Sequence, residues 1–82
     1  MLSYENYNWN GDKLMRVEGE TELLRLWNMC MKVSVVTDND KEREAARQEA
    51  ADIMRVGPEM GFYVIPEETY EGYKNTLTKH KL

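Results

Sequence analysis

The residues able to do chemistry are few, and their positions work against most of it. The chain has one histidine, His80, and one cysteine, Cys30. His80 stands between Lys79 and Lys81, in a segment that reads as a polar tail. A general base must be held within hydrogen-bond reach of its nucleophile, and a fraying tail does not hold one. Cys30 stands among Met29, Met31 and Val33. A thiol in apolar surroundings has a raised pKa and makes a poor nucleophile. One Cys and one His do not complete a zinc site, and a lone Cys leaves no intramolecular disulfide. The sequence therefore predicts no catalytic residue, no metal and no cofactor.

The carboxylates offer one spacing worth weighing. Asp38, Asp40, Glu42 and Glu49 fall at the first, third, fifth and twelfth positions of a calcium loop. The sixth position of such a loop turns sharply and takes Gly, but here it is Arg43. Glu44 to Gln48 are helix formers, so the segment reads more simply as a capped helix start. The glycines form no GxGxxG or GxxxxGK pattern that would cradle a phosphate. Lys41, Arg43, Arg47 and Arg55 fall on one predicted helix, each with an acid close by and no aromatic residue between them. That pattern fits a salt-bridged solvent face better than a helix that reads a DNA groove.

Composition bounds the rest. The 82 residues make one domain, 1–82, with a modest core. Hydrophobic residues are 41% and charged residues 32%, a globular balance, and the net charge of −4 argues against bulk nucleic-acid binding. Met1 to Glu5 carries neither a basic run nor an apolar core, so it does not read as a secretory signal. The apolar stretch from Leu23 to Val36 is short and interrupted by Arg25, Asn28 and Lys32, so no membrane span is expected. These features predict a cytoplasmic protein.

The expected fold class is α+β, mainly helical. An N-terminal β-hairpin over residues 2–18 would turn at Asn10-Gly11, a pair that tolerates positive φ. A long apolar helix over 20–36 follows, with Thr21 as a usable N-cap. Asp38-Asn39-Asp40 breaks it and caps an Ala-rich helix over 40–56, for which Gly57-Pro58 is the expected stop, with Gly57 left-handed. A short strand over 61–65 can add to the hairpin, which needs a third strand. Pro66 suits the first turn of a short helix over 66–77, and residues 78–82 would be a frayed tail. The valines near Val36 leave a strand over 32–36 as the alternative.

One helix admits two readings: core packing alone, wrapped by the hairpin and the other two helices, is the simpler, and an intermolecular interface is the other. Wound at about 100° per residue, residues 20–36 gather Arg25, Asn28 and Lys32 into one narrow wedge. Apart from Ser34, the remaining positions from Leu23 onward are apolar, a wider arc than a surface helix needs. Trp27, Met29, Met31, Val33 and Val36 are the candidate protein interface, and a homodimer is the simplest form it could take. Glu67, Glu68 and Glu71 are a candidate acidic patch, although helix-start chemistry explains them too.

The expected function is therefore non-catalytic protein binding, by a small inhibitor or accessory protein. Chains of this kind are common in phages and mobile elements, where some block host defence proteins; that step is analogy. The alternative is a small dimeric DNA-associated regulator or antitoxin. A third reading is a small-ligand domain lined by Trp9, Tyr63, Tyr70 and Tyr73.

Overall fold

The computed structural model describes residues 2–7, as backbone, and residues 13–81. The elements run β1 (Leu2–Tyr7), β2 (Lys13–Glu18), α1 (Glu20–Val36), α2 (Asp40–Met60), β3 (Phe62–Pro66) and α3 (Glu67–Lys79). The domain is α+β and mainly helical. Asn10-Gly11 lies outside the described residues, but the two strands that it was expected to join are paired antiparallel, Leu2 opposite Val17 and Tyr7 opposite Lys13. The register shifts between Tyr4 and Asn6. β3 adds to the other side of β2, also antiparallel, with Met15 opposite Ile65 and Val17 opposite Tyr63. The sheet order is thus β1-β2-β3.

Side chains alternate across a strand. Met15, Val17 and Ile65 turn inward and are buried, while Leu14, Arg16, Glu18 and Val64 occupy the opposite phase. The inward set meets Leu26, Cys30 and Val33 of α1, Ala46, Ala50 and Ile53 of α2, and Tyr73 of α3 in one core. The small alanines let α2 lie close, and α1 with α2 forms the most extensive helix pair. On the other phase, the Arg16 guanidinium lies 4.0 Å over the Phe62 ring and pairs with Glu18.

Two glycines at positive φ shape the corners. Gly19 (φ 90°) turns the chain directly out of β2 and is the N-cap of α1, without a side-chain cap. Thr21, expected as the cap, therefore lies inside the helix. Gly61 (φ 81°) is the left-handed cap of α2, its amide donating to the Gly57 carbonyl at 2.7 Å. The expectation for Gly57 is thus corrected: α2 runs through Gly57 and Pro58 to Met60. Proline disfavours helical backbone in the preceding residue by clashing with its Cβ, and Gly57 has none. Pro66 is the N-cap of α3 and not its first residue, and α3 continues to Lys79 with His80 as C-cap. Residues 32–36 are helical, which removes the strand alternative.

Candidate functional site

α1 buries Leu26, Cys30 and Val33 and turns Arg25, Asn28 and Lys32 to solvent, as its sequence pattern requires. Beside that polar wedge lies a stripe of large apolar side chains left open. Leu24 is 46% exposed, Met31 38% and Val35 77%. On α2, Met54 is 52% exposed. Leu24 and Met54 line the same cleft, so they lie on one side of the α1–α2 pair. The cleft has a volume of about 480 Å³, and its lining includes Leu23, Ile53, Gly57 and Pro58, with Glu20 as the one charged residue among the described residues that line it. Gly57 makes this concavity: a side chain there would meet Leu23.

The predicted interface residues separate in three dimensions. Val33 is wholly buried in the core and is removed from the candidate interface. Trp27 and Met29 are partly buried against the core, and Val36 is half-buried. Of the five, Met31 is the one that is exposed. Leu24, Val35, Met54 and Pro58 were missed. The signal for the first two was their helical phase, between Met31 and the polar wedge; for Met54 and Pro58 there was none, because the packing of α2 on α1 decides their side. Glu67, Glu68 and Glu71 lie on the first turns of α3, where Glu67 and Glu68 complement the positive helix end.

The basic residues of α2 have other duties. Arg43 donates from Nε to the Ser34 carbonyl at 3.2 Å, from Nη1 to Asp40 at 2.6 Å and from Nη2 to the Thr37 carbonyl at 2.6 Å. It thereby ties off the end of α1, which has no basic residue in its last turn. Arg55 pairs with Asp52 at 3.0 Å. These commitments withdraw two of the four charges that a groove-reading helix would need.

The calcium-spaced carboxylates diverge. The Asn39 side chain caps α2 by accepting from the Glu42 amide at 3.1 Å. The Glu42 carboxylate accepts from the Thr37 hydroxyl at 2.6 Å and from the Thr76 hydroxyl at 2.8 and 2.9 Å. Glu49 instead faces β3 and accepts from the Tyr63 hydroxyl at 2.5 Å. Among the described residues, no three His, Cys, Asp or Glu side chains converge to hold a metal ion. No helix among them is long and apolar enough to cross a membrane.

Burial sets the titration of the interior. It raises the Cys30 thiol to about 12, with a further push from Glu49. It raises Glu49 above the usual carboxylate range, against the opposing hydrogen bond from Tyr63. Tyr63 and Tyr73 are raised by burial as well. Each shift favours the neutral form, so Cys30 is a core residue at neutral pH and not a thiolate nucleophile. His80 lines a polar recess of about 300 Å³ with Asp38, Asn39, Glu42, Thr76 and Lys79, and Cys30 is not among its lining residues. Tyr63, Tyr70 and Tyr73 line neither of these two clefts. Tyr73 is core, Tyr70 lies under Lys74, and Trp9 falls outside the described residues.

No protein family, no characterised protein and no solved structure matches the chain.

Proposed function

We propose that this chain is a non-catalytic protein-binding module whose working surface is the outer face of the α1–α2 pair. The observation that carries this reading is the apolar cleft between Leu24 and Met54, two large side chains left half exposed on rigid helices. Covering such a concavity removes apolar surface from water at roughly 25 cal/mol per Å², with little ordering cost for groups already held by helices. A small inhibitor or accessory protein acting in the cytoplasm, of the phage-encoded kind, is consistent with this surface.

The test replaces Leu24 and Met54 together by Glu. A charge placed in a desolvated contact is costly unless paired, whereas at exposed positions it leaves the monomer intact. Circular dichroism checks the fold. Affinity capture from the cells that make the protein, with nuclease treatment, should lose its specific protein partners in the double variant. An unchanged partner set in a folded variant would overturn the reading.

A further inference from the structure

We infer that the chain seated on this face is a second copy of the same protein, related by a twofold axis. This rests on the docking reading above and commits it to one occupant. The argument is the distribution of charge along the face. Glu20 lines the cleft beside Leu24. Arg47 precedes Met54 by seven residues, two helical turns, and so shares its stripe, as Met31 shares that of Leu24. Among the described residues neither Glu20 nor Arg47 has a hydrogen-bond or ion-pair partner. The two helices run antiparallel, with Leu23 against Gly57 at one end and Arg43 on Ser34 at the other. At about 1.5 Å rise per residue, Arg47 lies roughly 20 Å from Glu20 along the pair.

The face therefore has an acid at one end, a base toward the other, and Leu24, Met54, Ala51 and Met31 between. A twofold axis through its middle brings Glu20 of each copy to Arg47 of the other and stacks the apolar centres. The same axis sets Met31 of each copy opposite the cleft of the other, where a flexible thioether suits an irregular concavity. A face about 25 Å long on two helices about 10 Å apart covers on the order of 500 Å² per copy, near the lower limit for a specific interface. The dimer is accordingly weak and concentration-dependent.

The experiment is sedimentation equilibrium from micromolar to millimolar protein, with circular dichroism on every variant. The wild type should show a monomer–dimer equilibrium, and the Leu24→Glu, Met54→Glu double variant should be monomeric. Glu20→Arg alone and Arg47→Glu alone each place like charges at both ends, and each should weaken the dimer about fivefold or more. An equimolar mixture of the two single variants restores both pairs and should dimerise more tightly than either alone. A mixture that gives no recovery would overturn the twofold arrangement. A wild type that stays monomeric throughout would overturn the second-copy inference, leaving the docking reading to the capture experiment. Association that is indifferent to Leu24 and Met54 would place the contact on another face and overturn the second-copy inference, again leaving the docking reading to the capture experiment.

Discussion

A Cβ built on Gly57 would lie 3.3 Å from Cδ1 of Leu23, the closest approach of a buried α2 glycine to α1. That contact explains a glycine in a helix interior, where its backbone freedom costs about 1 kcal/mol relative to Ala. It also separates two glycines that look alike in sequence. Gly57 is helical and crowded, whereas Gly61 is left-handed with nothing within 4 Å of its absent Cβ. Gly61→Ala should cost about 1–2 kcal/mol through backbone conformation alone. Gly57→Ala keeps a helical φ and gains helix propensity, but its Cβ meets both Leu23 and the Pro58 ring, so it should also destabilise, by less than Gly61→Ala if Leu23 moves toward the cleft. Urea unfolding of both variants checks the order; the reverse order would mean that Leu23 cannot give way.

Glu42 joins three elements through one carboxylate: its own helix, the Thr37 corner and Thr76 of α3. Hydrogen bonds to a charged acceptor contribute about 1.5–3 kcal/mol, and a hydroxyl left without its partner adds a penalty. Glu42→Ala should therefore destabilise by about 2 kcal/mol or more, and Thr76→Val by about 1 kcal/mol. Hydrogen exchange should show the α3 amides losing protection in Glu42→Ala ahead of those in the middle of α2. Uniform loss along the chain would refute a local tie.

Glu49 sets a pH dependence of unusual sign for a carboxylate. Its pKa is raised in the folded chain, first by burial, so the folded state holds the proton more tightly than the unfolded one. Its contribution to stability therefore falls as pH rises from the unfolded carboxylate range through the folded pKa, and the penalty is absent at lower pH. Asp52 adds to the rise and the Tyr63 hydroxyl opposes it. Glu49→Gln should remove this segment of the pH profile of unfolding, and Tyr63→Phe should move it to higher pH. Carbon-detected titration of the Glu49 carboxyl gives the direct measure; a pKa at or below that of an exposed glutamate would contradict the account.

Tyr73 is buried, and its hydroxyl has no hydrogen-bond partner among the described residues. A buried polar group without a partner is a cost, so deleting it while keeping the ring should be harmless or helpful. Tyr73→Phe should leave thermal stability unchanged or raise it by up to about 1 kcal/mol, while Tyr73→Ala should cost about 3–5 kcal/mol as a core cavity. A loss above about 1 kcal/mol for Tyr73→Phe would show that the hydroxyl is in fact satisfied.

The helices were legible because helix signals are local. The bounds of α1 at Glu20 and Val36 follow from its apolar run and the Asp38-Asn39-Asp40 break, and Asn39 caps α2 as its residue type suggests. A strand over 61–65 was readable from composition, and it forms one residue later, at Phe62–Pro66, where it supplies the third strand that the first two need. Gly57-Pro58 misled because the same pair suits a helix stop and a helix that continues. The choice depends on whether Leu23 packs there, and a sequence pattern carries no record of a neighbour on another element.

The sequence by itself determined the order of the elements and the solvent wedge of Arg25, Asn28 and Lys32, since propensity, capping and hydrophobic phase act within a few residues, but it left helix and strand both open over 32–36. It also marked Cys30 as core, through its apolar neighbours. Only the tertiary structure decided that Val33 is enclosed while Leu24 and Val35 are not. It alone brought Met54 beside Leu24 and set Glu42 under Thr76 and Glu49 under Tyr63. These are long-range choices: which part of an apolar arc is covered depends on where the other helices and the sheet come to rest, and that is settled by packing the whole core at once.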